Sequence, residues 1–142
     1  MAIVWQHQAW DHTHKITRAG QCVRLYRNGV LHSQWNPNAL LSGHLWELFI
    51  LTSMTTQMPL QRICVLGTGG GSVIMLLQHF FPDVHIDAVE LDEIHLFTAK
   101  KFFQINNCQH KTNLFSVINL NRDSITVAII ESLCWLAMTQ VL

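Results

Sequence analysis

The residues of this chain best suited to chemistry are the run Gly67-Thr68-Gly69-Gly70-Gly71-Ser72 and the carboxylate of Glu90, eighteen residues after Ser72. The apolar stretch Arg62-Ile63-Cys64-Val65-Leu66 has strand length and leads straight into the glycines, and a helical pattern starts behind them. A turn of this composition can reverse sharply and admit a ligand to the main chain, because glycine tolerates φ > 0 and carries no Cβ. Val84 to Val89 reads as the next parallel strand and puts Glu90 at its tip. A carboxylate there can accept hydrogen bonds from both hydroxyls of an adenosine ribose. Glycine turn and acid together predict a nucleotide-handling, Rossmann-type half-domain.

Positioning these groups requires strands and helices that the sequence marks in turn. Val73, Leu76, Leu77 and Phe80 recur at helical intervals until Phe81-Pro82-Asp83 closes the element. Asp92 is placed to N-cap a helix from Glu93 to Phe103, with Asn106-Asn107 ending it. Leu114 to Leu120 reads as a third strand. Upstream, Val23 to Leu31 with Asn28-Gly29 at its middle predicts two short strands joined by a type I′ turn, in which both central residues need φ > 0. Trp35-Asn36-Pro37-Asn38 breaks the chain, and Leu40 to Thr52 is apolar at helical spacing. Its residues Leu41, Leu45, Leu48 and Leu51 share the face expected to pack beneath the sheet. The fold class expected is α/β: a small N-terminal β-hairpin module with its helix, residues 1–58, followed by a partial Rossmann-like parallel sheet, residues 59–142.

Composition narrows the function classes. The 142 residues carry a formal charge of zero and only 13% charged residues, against roughly a quarter in an ordinary soluble chain. Lysines and arginines are scattered singly apart from Lys100-Lys101, so no nucleic-acid-binding face is expected. Cys22, Cys64, Cys108 and Cys134 form no Cys-x-x-Cys pair, and Cys64 inside a strand reads as a small hydrophobe; a cytoplasmic location fits. Met1 to His14 lacks the charged start and long apolar run of a secretory signal. Of nine histidines, His12 and His14 are the closest pair, but no third ligand stands at a recognisable spacing, so no metal site is expected. Ser124 to Leu142 is almost continuously apolar; Glu131, Ser132, Thr139 and Gln140 argue against a membrane span, and a buried strand and helix is the expectation.

The order of these motifs resembles the spermidine synthase family and its spermidine-synthase-like methyltransferase relatives. The residues that carry the resemblance are Leu25-Tyr26-Arg27-Asn28-Gly29-Val30-Leu31-His32-Ser33, then Ile63 to Ser72, then Ala88-Val89-Glu90-Leu91-Asp92. The resemblance covers roughly Cys22 to Phe103 and implies a class I methyltransferase-type sheet behind a small β-domain. It implies a site for S-adenosylmethionine, decarboxylated S-adenosylmethionine or methylthioadenosine. Gly67, Gly69, Gly70 and Gly71 would shape the turn against the amino-acid-derived end of the ligand, Glu90 would hold the ribose, and Asp92 would sit just beyond it. His32 and His44 would lie on the substrate side. The reaction implied is transfer of a methyl or aminopropyl group from a sulfonium donor, and a homodimer is common among such proteins.

The sequence departs from the family pattern at informative places. Ser72 stands where spermidine synthases carry an acid after the glycine triplet, His32 replaces the hairpin's usual glutamine, and Gly43-His44-Leu45 replaces a Tyr-His-Glu triplet. These changes remove groups that would recognise a diamine, so the methyltransferase branch fits better, and no catalytic acid can be assigned. The eighty residues from Ile63 to Leu142 are about half of what seven strands with crossovers need at about 25 to 30 residues per unit. A frameshift, a truncation or a missing partner would each account for that. Two other readings stay open: a non-catalytic remnant or interaction module that keeps the glycine turn for packing, and an NAD-dependent oxidoreductase. The second is disfavoured by Ser72 and by the hairpin it leaves unexplained.

Overall fold

The computed structural model describes residues 1–9, 11–55, 60–105 and 112–116. Four antiparallel strands, β1 (Ala2–Ala9), β2 (His12–Ala19), β3 (Cys22–Arg27) and β4 (Val30–Trp35), form one sheet in sequential order. Helix α1 (Leu45–Met54) leads to a second sheet of three parallel strands, β5 (Arg62–Leu66), β6 (His85–Glu90) and β7 (Thr112–Ser116), also in sequential order. Helices α2 (Ser72–Phe80) and α3 (Glu93–Phe102) make the crossovers. This is an α/β protein with an antiparallel sheet ahead of a parallel one.

The expected hairpin is present: Asn28 and Gly29 take φ of 49° and 82° between β3 and β4. Asn28 also reaches β2, where its Oδ1 accepts from the Thr13 N–H at 2.8 Å, so the turn is pinned to a third strand. The hairpin is half of a larger sheet than expected, since β1 and β2 add two strands ahead of it. In β2 the inward positions are His14 and Ile16, both buried.

Helix α1 corrects the sequence reading twice. It starts at Leu45 rather than Leu40, because Gly43 sits at φ 78° and the Glu47 carboxylate ties down the chain before the helix, accepting from the Gly43 N–H at 3.0 Å and the Ser42 hydroxyl at 2.8 Å. Its buried side is also not the expected one. Leu41 before the helix and Leu45, Leu48 and Leu51 within it are all exposed, while Ile50 and Ser53 are buried and Trp46 and Phe49 pack against the core. Two apolar stripes compete on this helix, and the aromatic one wins the interior because it removes more apolar area from water.

The crossover helices follow the sequence more closely. Helix α2 buries Val73, Ile74, Leu76 and Leu77. Asp92 N-caps α3, its Oδ1 accepting from the Ile94 N–H at 2.9 Å. That helix stops at Phe102, earlier than expected, and Gln104 at φ 57° turns the chain away; Asn106-Asn107 lie outside the described residues. Strand β7 begins two residues before the expected third strand, and residues 117–120 lie outside the described set, as does Ser124 to Leu142. Among the described residues no helix is long and apolar enough to cross a membrane.

One apolar cluster joins the N-terminal sheet to the α/β part: Ile16, Val23 and Leu25 of the first sheet cluster with Ile86 of β6, Ile74 of α2, Ala99 of α3, and Phe103 and Ile105 just beyond it. The glycine turn is therefore fixed from two sides. The sheet carries it forward from β5, and β4 receives it.

Candidate functional site

At the carboxyl ends of β5 and β6 the chain builds the turn expected from the sequence. The Gly67 N–H donates to the Val89 carbonyl at 2.8 Å, which continues the sheet by one bond, and the Gly71 N–H donates to the Thr68 carbonyl at 2.8 Å to close the turn. Strand β4 holds the turn from the other side. The Gly70 N–H donates to Ser33 Oγ at 2.7 Å, and Ser72 Oγ accepts from the Gln34 N–H at 2.7 Å while donating to the Gln34 carbonyl at 2.8 Å. Ser72 is thus a stitch between the turn and the N-terminal sheet.

The four glycines divide into two pairs. Gly67 and Gly69 line a cavity of about 470 Å³ that runs from the turn along β5 to α1. Gly70 and Gly71 are outside its lining and face the core. A Cβ on Gly70 would lie 2.8 Å from the Phe103 ring. One on Gly71, at φ 98°, would collide with Ile105 Cδ1, so this position is glycine for both conformation and space. Gly70 and Gly71 therefore shape the turn from behind, by packing.

Glu90 is buried and lines the same cavity. Its Oε2 accepts from the Gly69 N–H at 2.7 Å, and its Oε1 accepts from the N–H groups of Leu91 and Asp92, both at 2.9 Å. Burial pushes this carboxyl up, but His95 and the N–H groups of Asp92 and Gly69 outweigh it and leave it below the ordinary range. A carboxylate has about four acceptor sites, and three are filled here by the backbone. Room remains on Oε2 for one further donor, where the sequence suggested both hydroxyls of a ribose.

Asp92 faces elsewhere. Its Oδ2 lies 3.0 Å from His14 Nε2 and 3.8 Å from His95 Nε2, with Arg27 Nε at 3.9 Å, and it is absent from the cavity lining. Burial pushes its carboxyl up, and His95, His14 and the Ile94 N–H bring it below its usual value. His44 is also off the cavity; it precedes α1 with its ring 4.6 Å from Trp46, centroid to centroid. His32 does line it, 5.2 Å from the His95 ring. Burial first, then the neighbouring His95, Arg27 and His14, push its imidazole below the ordinary value and favour the neutral ring.

Three cavity residues were not singled out as site residues from the sequence. Thr68 is buried, and its hydroxyl has no hydrogen-bond partner among the described residues. His95 lines the wall beside Glu90; its place three residues after Asp92 on a helix was a signal available in the sequence. Cys64 is half-buried on the β5 wall, and burial pushes its thiol up, so it behaves as the small neutral group expected.

Comparison with known proteins agrees with this architecture. No family model matches the chain. A curated relative, the polyamine aminopropyltransferase of Vibrio vulnificus (strain CMCP6), is 40% identical over 43 residues, 30% of this chain and 14% of that protein. Among solved structures, a probable spermidine synthase from Corynebacterium glutamicum ATCC 13032 superposes with a TM-score of 0.63 at 15% identity, over 82% of this chain and 45% of its own. A spermidine synthase in complex with the transition state analogue AdoDATO gives 0.58 at 15% identity, over 80% of this chain and 40% of its own. The spermidine synthase from Thermotoga maritima gives 0.51 at 14% identity over the same shares. The class is an α/β fold with an antiparallel sheet leading into a parallel sheet. More particularly, the fold is spermidine-synthase-like, and the chain spans less than half the length of the solved proteins that share it and a small fraction of the curated relative.

Proposed function

We propose that the cavity binds an adenosyl thioether or sulfonium compound, namely S-adenosylmethionine, its decarboxylated form or methylthioadenosine, in a protein of the methyl- or aminopropyl-transferring class. The observation that carries this reading is the placement of Glu90. Its carboxylate bridges the glycine turn and the start of α3, lines the cavity with Gly67, Thr68 and Gly69, and keeps one acceptor site for a ribose hydroxyl. Thr68 supplies a second polar contact, since its buried hydroxyl lacks a partner among the described residues and an unpaired buried polar group costs about 1 to 3 kcal/mol until satisfied. Gly67, with open space where a Cβ would stand, leaves the main chain accessible on the side where the amino-acid-derived end would lie.

When bound, the sulfonium compound supplies an electrophilic carbon with a good leaving group, so the protein has mainly to position the acceptor. Glu90 takes three backbone donors and is held ionised, with one acceptor site left, which suits it to binding rather than proton transfer. His32, kept neutral on the cavity wall, is the cavity residue suited to take a proton from an attacking amine or hydroxyl. We extend the same reading to a cytoplasmic homodimer, which sedimentation of a strict monomer would contradict.

Isothermal titration of the folded chain with the three adenosyl compounds and NAD tests the proposal. Saturable binding of any adenosyl compound without NAD binding is the expected result. NAD binding alone would move the site to an oxidoreductase, and no binding by a chain whose circular dichroism shows it folded would make it a remnant whose turn serves only packing.

A further inference from the structure

At the cavity wall formed by His95 and reaching into the seam between the N-terminal sheet and α3, His14 of β2, Asp92 at the head of α3 and His95 one turn into α3 converge. Each offers a nitrogen or oxygen within 4.8 Å of the others. Both histidines are almost fully buried, at 2% and 4% exposure. We propose that these three residues form a site for a divalent transition metal ion of the zinc type, clamping the N-terminal sheet to the α/β sheet.

Four features carry this. The donor set, two imidazoles and a carboxylate, matches what zinc and its neighbours take. The separations of 3.0 Å from Asp92 Oδ2 to His14 Nε2 and 3.8 Å to His95 Nε2 bracket the ligand-to-ligand spacing of roughly 3.3 Å expected around an ion with bonds of about 2.0 to 2.1 Å. The carboxylate is oriented, because Oδ1 is engaged by the Ile94 N–H while Oδ2 faces both rings. His95 also has a second carboxylate on its other side, its Nδ1 lying 3.8 Å from Glu90 Oε1, where an outer carboxylate supports ligating imidazoles.

The decisive detail is His95 Nε2. It is buried and makes no hydrogen bond among the described residues, yet it is aimed at the Asp92 oxygen that His14 already contacts. A buried ring nitrogen left in that position is under-satisfied, and an ion between the three groups would satisfy it. Binding would displace the proton that His14 Nε2 shares with Asp92. Arg27, 3.9 Å from the same oxygen, is the positive charge that opposes the ion and balances Asp92 in its absence. Neither β2 nor the start of α3 reveals the site locally, since His14 and Asp92 are 78 residues apart.

The test is titration of the full chain with Co²⁺ and Zn²⁺, read by visible absorption, by competition and by the histidine ring signals in NMR. The expected result is saturation near one equivalent, with a Co²⁺ spectrum of low coordination number displaced by Zn²⁺, and a rise in melting temperature with the ion. His14→Ala and His95→Ala should each weaken uptake by about tenfold or more, and His12→Ala on the same strand should not. Should the alanine variants fail to fold, the wild-type chain still decides: bound Co²⁺ must perturb the rings of His14 and His95 before those of the exposed His7, His79 and His85. Absence of saturable uptake, or uptake that perturbs the exposed rings instead, overturns the proposal. Neither outcome depends on nucleoside binding.

Discussion

Glu90 and Asp92 stand two residues apart at the end of β6, yet they belong to different regions of the molecule. Glu90 is satisfied by backbone N–H groups, two from its own turn and one from the glycine turn, and it faces a cavity. Asp92 gives one oxygen to its helix and the other to side chains of a distant sheet. Residues two apart in a strand point to one side, but the strand ends at Glu90 and Asp92 is already a helix cap, so the chain has turned between them. A carboxylate held by backbone is a rigid feature of a local motif. A carboxylate held by side chains from another sheet makes a joint.

The largest effect expected from breaking this contrast comes from behind the Glu90 corner. Gly71→Ala puts a β-branch-free but real side chain at φ 98° against Ile105. Left-handed strain of about 1 to 3 kcal/mol and overpacking of about 1 to 3 kcal/mol together should lower stability by about 2 to 6 kcal/mol in urea denaturation. A loss under about 1 kcal/mol would mean that the turn adapts, and that Glu90 is not rigidly placed. Asp92→Ala comes next. It removes a cap worth about 1 kcal/mol and strands the His14 ring at about 1 to 3 kcal/mol, while Asp92→Asn keeps a capping oxygen and should cost clearly less. Equal losses in the two variants would show that the charge, and not the cap, governs the joint. Third is Glu90→Gln, whose effect should be read in ligand affinity: adenosyl-compound binding weakens by about 1 to 3 kcal/mol, the range for a hydrogen bond to a charged group. Unchanged affinity in a folded variant would take Glu90 out of the site.

The same contrast explains what could be read from the sequence. The β5–turn–α2–β6–α3 stretch was legible because each element carries a local signal: an apolar strand, glycines, a helical repeat, an acid at a strand end and an N-cap. The first two strands were not. In β2 one of the two inward positions that should be apolar is His14, so the alternation that marks a half-buried strand is broken. In β1 nearly every residue is exposed and the register shifts between Ile3 and Trp5, which leaves no stripe to find. Helix α1 is legible as a helix but its buried side is not, since Trp46, Phe49, Ile50 and Ser53 have the same helical spacing as the leucines and only tertiary packing chooses between them. Glu90 was recognised as an acid at the turn, but how many of its acceptor sites the backbone fills is not written in its neighbours. His14 could not be joined to Asp92 because their pairing depends on how two sheets dock.

The smallest predicted effect is the sharpest test of the separation. Asp92→Asn should leave the affinity for adenosyl compounds within about 0.5 kcal/mol, the scale of substitutions that touch no decisive feature of the measured site. Asp92 lies off the cavity lining, and its one link to Glu90 is its own backbone N–H, which the substitution retains. His95 is the route by which the two corners could still communicate, with Nδ1 toward Glu90 and Nε2 toward Asp92. If titration of Asp92→Asn shows a loss as large as that of Glu90→Gln, the two carboxylates act as one site through that ring. If it shows none, the glycine corner binds on its own and the histidine seam serves only to hold the sheets together.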